Sequence, residues 1–472
     1  MNFLRIARSI ALVCLIGLVS VVATGLVPVR ASAFQPHSPI LIDGNSAFTS
    51  ENGVTRGSGT AGDPYNIEGW DISLDPCDPG SCGNKGAIEI HNTNAAFIIR
   101  NVNVHADYIY GRGILLVNAT DGLIQDATFS KSQVGILIAQ SVNITISDVT
   151  LHGNGFVEAV GGGIRIVDSL NIRVDASNVS GNNYVGISAI RTRGLVIDDN
   201  TVSHNSGRYE NGFGMAFYEI TDARITGNNI TNNPGHLNGS GIELDSSNDT
   251  IISDNTISNR PGNGFGVRLF SPERITIVHN NFIDNRVQAF VENGDNNSWD
   301  NGYPSGGNYW SDLGAIDNCS GPSQDECSAP DGIADQPYSI ALAGAATGID
   351  RYPLMKPFAP LETGSVRFAP TSITSQNSNK DLTASIRLPQ GFNASNSIRS
   401  SIRLNETITA TSVRLVTQPS ATPLLIVTFS MTQVKELFSK PGIYTLQLTA
   451  NLLTNTNFRP FQATATVRLV SS

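Results

Sequence analysis

The sequence predicts an all-β chain whose central part is a parallel β-solenoid, and three observations carry that prediction. A Gly followed by an apolar-x-apolar triplet recurs at Gly86, Gly113, Gly135, Gly163, Gly186, Gly214, Gly241 and Gly266, at intervals of 27, 22, 28, 23, 28, 27 and 25 residues. That interval is the length of one solenoid coil. Counted from each Gly, positions +1, +3, +11 and +16 form apolar columns, for example Ile114, Ile136, Ile164, Ile187, Met215, Ile242 and Val267 at +1. Position +14 is Asn in four consecutive coils, Asn200, Asn228, Asn255 and Asn280. An Asn column suits left-handed turns, and its amides can bond the coils above and below.

Residues 1–33 read as an export signal. Arg5 and Arg8 precede an apolar stretch from Ile10 to Val27, and Ala31-Ser32-Ala33 offers a cleavage site. If uncleaved, this segment is the chain's only expected contact with a membrane. Residues 34–85 are expected to hold the N-terminal cap and first coil, because an open solenoid end exposes strand edges and core. Residues 86–290 hold about eight coils of three short strands each, with the coil at Gly86 a residue or two out of register. Residues 291–360, rich in Gly, Pro, Asp and aromatics, close the other end. From 364 to 472 alternating strands without Cys or repeat predict a small antiparallel β-sandwich with one short helix near Thr432–Phe438.

Composition fits a secreted or cell-envelope protein. Cys14 lies in the signal, and the other four cysteines form close pairs, Cys77 with Cys82 and Cys319 with Cys327, read as two local disulfides. Removing the three arginines of residues 1–33 leaves 27 basic against 40 acidic residues, a balance of −13. No nucleic-acid partner is expected of such a chain. Ten Asn-x-Ser/Thr sequons follow largely from its Asn-rich turns.

The opening ILIDGNSAFTSENGVTRGSGTAGDPYNIEGWDI resembles that of the NosD-like right-handed parallel β-helix proteins, part of the carbohydrate-binding and sugar-hydrolase β-helix group. So do the closing NNFIDNRVQAFVENGDNNSWDNGYPSGGNYWSD, DGIADQPYSI and DRYPLMKPF, and the resemblance spans residues 39–358. It implies right-handed winding, a surface or envelope location and, from the family's name, copper handling. The terminal sandwich is similar, more weakly, to immunoglobulin-like domains.

The segments inserted between coils all precede the next Gly, so they should line one edge of the rod. That edge carries Tyr108, Tyr110, Arg112, Phe156, Glu158, Arg208, Tyr209, Glu210, Phe213 and His236. Aromatic faces interleaved with carboxylates and Arg suit sugar rings, which makes polysaccharide or glycoprotein glycan the expected partner. The plainer role of such residues is to cover the rod. Catalysis as a lyase or glycoside hydrolase would need paired carboxylates, or a base beside Arg165 or Arg268. No catalytic residue is assigned, because Asp126, Asp148, Asp199 and Asp254 at +13 fit turns better. Glu243 and Arg268 share position +2 on neighbouring coils and read as a surface ion pair. Asp317, Asp331 and Asp335 in the closing segment are hard donors suited to calcium, or else to turns. Copper is not expected, since His105, His152 and His204 fall on alternate coils and the other His and Met are scattered. A passive or adhesive scaffold is the remaining alternative.

Overall fold

The computed structural model describes residues 34–470 except 75–84, 107–110, 156–160, 207–211, 234–238, 260–263, 295, 328–329, 344–347, 359–361, 364, 375–380, 388–401, 406, 419–420, 439 and 454–457. The export signal and the Cys77/Cys82 pair therefore lie outside the described residues.

The repeats wind into a right-handed parallel β-helix with three walls. Strands of the first wall begin at the Gly column, as in Val134–Ala139, Gly162–Val167, Val185–Ile190, Phe213–Tyr218, Ser240–Asp245 and Phe265–Phe270. Their registers stack Ile136, Ile164, Ile187, Met215, Ile242 and Val267 directly on one another. Gly86 stands opposite Arg112, one residue off the Gly column. The +1, +3, +11 and +16 side chains are buried in one continuous core.

Both ends add coils beyond the eight that begin at a Gly. Ile40–Asp43, Tyr65–Glu68 and Trp70–Leu74 pair in parallel with Ile88–His91, Phe97–Arg100 and Asn103–Ala106, so the N-terminal segment supplies a three-walled coil of its own. At the other end Val287–Glu292 continues the first wall with Gln288 in place of Gly, and Tyr309–Trp310 continues the third. Trp310 stacks between Phe282 and Tyr338, with centroids 4.4 and 4.1 Å away, and seals the core.

Each of the three corners carries an internal polar column. At +14, Asn200 donates Nδ2 to Asn228 Oδ1 (3.0 Å), Asn228 to Asn255 (2.9 Å), Asn255 to Asn280 (2.9 Å) and Asn280 to Asn308 (3.0 Å). A second ladder, which the sequence reading missed, runs through Asn154, Asn182, Asn205 and Asn233 at 2.9–3.0 Å. It continues through backbone donation to Asn259 and Asn285. Ser141 and Ser169 form a shorter third column, each Oγ accepting a backbone N–H from the coil before. Buried amides satisfied this completely convert a desolvation cost into fixed register.

The second Asn ladder explains the glycines. A Cβ on Gly186 would sit 2.7 Å from Gly214 O and 2.8 Å from Asn205 Nδ2, and Gly214 and Gly241 meet the same two kinds of neighbour. Only a hydrogen lets coil, neighbour and ladder close together.

Residues 365–469 contain two largely antiparallel sheets, one of Ser365–Ala369, Leu382–Arg387, Ser412–Gln418 and Ala421–Phe429, the other built on the Gly442–Leu453 and Phe458–Leu469 hairpin. They share a second core, and a helix spans Met431–Glu436.

Candidate functional site

The inserted segments do all enter at one corner, between the third and first walls. Of the residues expected to bind glycan there, Tyr108, Tyr110, Phe156, Glu158, Arg208, Tyr209, Glu210 and His236 lie outside the described residues. Phe213 is buried, edge-on to Tyr184 at 5.6 Å. Arg112 stands in the first wall opposite Val134, half-buried, its guanidinium held below the usual range by burial and by the neighbouring Arg165 charge against the pull of Glu89.

Beside that corner, the outer face of the first wall carries a slot of about 230 Å³. Strand alternation produces it. On the coils that begin at Gly163, Gly186, Gly214 and Gly241, position +2 points outward, and along this column Arg165, Ser188, Ala216 and Glu243 are consecutive partners. Small Ser188 and Ala216 make the floor, while Arg165 and Glu243 stand at the two ends, three coil steps or about 14 Å apart. Tyr184 forms the wall toward the insertion corner, and Ile190, Tyr218 and Asp245 at +4 form the other. Tyr184 holds φ 76°, a conformation rarely adopted by an aromatic residue and the kind of strain that collects at functional sites.

Glu243 is the electrostatic centre of the slot. Burial raises its carboxyl to about 6, against the opposing pull of Arg268 and a hydrogen bond from Ser240. Arg268 Nη1 lies 3.6 Å from Glu243 Oε2, and its guanidinium sits over Phe265 and Phe270 at 5.0 and 4.2 Å. The ion pair expected from the sequence is present, but it is part-buried and packed between rings. Burial likewise raises the Tyr184 hydroxyl, with Glu243 adding to the shift and Arg165 opposing it.

The other expected carboxylates work on the backbone. Asp126, Asp148, Asp199 and Asp254 take φ of 49–61°, and Ala176, Gly227 and His279 occupy the same left-handed turn on the intervening coils. Asp317 accepts the N–H groups of Asp331 and Gly332, Asp331 that of Ile333, and Asp335 those of Asn318 and Cys319. These bonds, with the Cys319–Cys327 disulfide, clip the closing segment together. Among the described residues no three His, Cys, Asp or Glu side chains gather as a metal shell. His105 and His152 both flank Ser130 in the third wall, two coil steps or about 10 Å apart. At that spacing His105 and His152 do not share one ion.

Residues 89–315 match the family described as periplasmic copper-binding protein (NosD), so the β-helix is NosD-like. No curated protein matches the chain. Among solved structures, the periplasmic alginate epimerase AlgG is similar at 17% identity and TM-score 0.34, over 50% of this chain and 69% of that one. The A-module of the Azotobacter vinelandii mannuronan C-5 epimerase AlgE4 is similar at 14% and 0.31, over 54% and 78%. An alginate lyase from Paenibacillus sp. is similar at 11% and 0.32, over 58% and 97%.

Proposed function

We propose that this chain is an exported surface or envelope protein that binds polysaccharide along the first wall of its β-helix. The slot carries this reading. A floor of Ser188 and Ala216 flanked by the rings of Tyr184 and Tyr218 gives a pyranose apolar faces to lie against. Arg165, Glu243 and Asp245 supply donors and acceptors for hydroxyl edges. A slot running along the rod axis and open to solvent suits a chain ligand better than a compact one. Calcium at Asp317, Asp331 and Asp335 forms no part of this reading, since those carboxylates already hold backbone N–H groups.

A glycan array probed with the full chain tests it, with and without a calcium chelator. Retention of at least one polysaccharide class is expected, weakened about tenfold or more by Tyr184→Ala or Tyr218→Ala and unaffected by the chelator. Retention indifferent to both tyrosines would move the site elsewhere, and no retention at all would leave a passive scaffold.

A further inference from the structure

We propose that the slot selects a zwitterionic polysaccharide, with a carboxylate-bearing sugar at its Arg165 end and a protonated amino sugar at its Asp245 end; this names the ligand class of the glycan reading above and rests on it. Three charged side chains line the slot, and they are sorted by sign along it. Arg165 stands on the coil that begins at Gly163, and Glu243 and Asp245 stand on the strand Ser240–Asp245. Three coil steps, about 14 Å along the rod, separate the two rows. Between them the partners are uncharged, Ser188 and Ala216 in one column and Ile190 and Tyr218 in the other. A neutral polymer gains nothing from that order, which matches a chain whose own charges alternate in sign.

The cationic end is reinforced from outside the slot, because the Arg112 guanidinium lies close enough to Arg165 for the two charges to repel. A planar guanidinium fork is a natural partner for a sugar carboxylate. At the other end the two carboxylates differ in what already holds them. Glu243 is engaged by Arg268 at 3.6 Å, so its charge is answered within the protein. Asp245 accepts a hydrogen bond from the Ser246 hydroxyl at 2.9 Å, and among the described residues no Lys, Arg or His makes an ion pair with it. It also stands in register between two aromatic residues, Tyr218 on the preceding coil and Phe270 on the following one. A carboxylate among aromatic residues suits an ammonium group, which is drawn by the charge and by the negative ring face alike. Phe270 already holds a cation that way, the Arg268 guanidinium 4.2 Å from its centroid. Tyr218, 42% exposed, is left for the ligand.

Polymers of one sign fit less well. A uniform polyanion meets Asp245 and a chain of formal net charge −10, and a uniform polycation meets Arg165 with Arg112 behind it.

The test adds three derivatives of one backbone to the glycan array: hyaluronan, which carries carboxylates alone, its partly N-deacetylated form, which carries carboxylates and amines, and the carboxyl-reduced form of the latter, which carries amines alone. Polygalacturonate and chitosan stand beside them as single-sign polymers. The full chain should bind the form with both charges about tenfold or more tighter than either single-charge form. Asp245→Asn, which keeps the shape of the side chain, should bring the affinity ratio between the deacetylated and parent polymers down to about one. Arg165→Gln should do the same to the ratio between the deacetylated polymer and its carboxyl-reduced form. A side chain that only supported the wall would move neither ratio selectively. Equal affinity for the three derivatives, tighter binding of any single-sign polymer, or an undiminished ratio in Asp245→Asn would overturn the proposal and leave the binding reading intact. Retention of other glycans with none of these three would do the same, and no retention at all would remove both.

Discussion

Glu243 and Arg268 face each other across neighbouring coils, Nη1 3.6 Å from Oε2, yet the carboxyl is raised to about 6 and not lowered. Burial outweighs the ion pair because a contact of that length in a part-desolvated site returns less than the lost hydration costs. A carboxyl raised in the folded chain stabilises it fully below the unfolded value of 4.5, and that contribution disappears as pH climbs through about 6. The shift corresponds to about 2 kcal/mol. Urea unfolding at pH 4.5 and pH 8 should therefore show Glu243→Gln gaining on the native chain by about that amount at the higher pH. An equal difference at both pH values would refute the assignment. All three tryptophans, Trp70, Trp299 and Trp310, precede the terminal sheets, so their fluorescence isolates the β-helix transition.

The central Asn ladder makes a second prediction. Asn228 donates Nδ2 to Ile197 O, Thr226 O and Asn255 Oδ1, and its Oδ1 accepts from both the backbone and side chain of Asn200. Asn228→Ala strands several buried partners at about 1–3 kcal/mol each. Its loss should exceed about 3 kcal/mol by denaturant unfolding, whereas Asn229→Ala, exposed on the outer face, should stay within about 0.5 kcal/mol. Similar values for the two would show that the ladder does not support the fold.

The Gly column is tested by Gly186→Ala. The added carbon meets Gly214 O and Asn205 Nδ2 at 2.7 and 2.8 Å, and prying coils apart should cost about 1–3 kcal/mol. Gly314→Ala, with nothing within 4 Å, is the control. A Gly186→Ala chain as stable as that control would mean the coils have slack.

The closing segment hangs on one buried carboxylate. Asp350 accepts from Asn308 N and Trp310 Nε1, both at 2.8 Å, and from Tyr352 N at 3.1 Å, while Asp300 holds Arg351 through three bonds, one from its backbone N–H and two from its guanidinium. Asn308 ends the ladder and Trp310 ends the core, so Asp350→Ala should loosen both. Brief proteolysis should then cut between residues 291 and 358 and dye binding to apolar surface should rise, with the melting temperature lowered. Unchanged protease resistance would place the lock elsewhere.

Among the ladders, Asn200 to Asn280 was legible because the +14 position follows strands of fixed length. The parallel column at Asn154, Asn182, Asn205 and Asn233 was hidden by its place just before the variable insertions, and Asn259 sits one residue short of the others. The candidate site was only half legible. Most of the expected insertion edge lies outside the described residues, and the slot is built from Arg165, Ser188, Tyr184, Tyr218, Glu243 and Asp245, which look like ordinary outward positions when read one coil at a time. Their only sequence signal was two small residues at +2, Ser188 and Ala216, between two charged ones.

The sequence by itself determined the winding period, the inward columns and the terminal antiparallel sheets, because side-chain burial in a strand repeats every second residue and coils repeat every 22 to 28. Only the tertiary structure decided which residues become neighbours across coils. Glu243 meets Arg268 and shares a slot with Tyr184, and Gly186 meets Asn205, through stacking at about 4.8 Å of segments far apart in the chain. Burial, which moves the Glu243 carboxyl and forbids a Cβ on Gly186, is a property of that stack and of no single repeat.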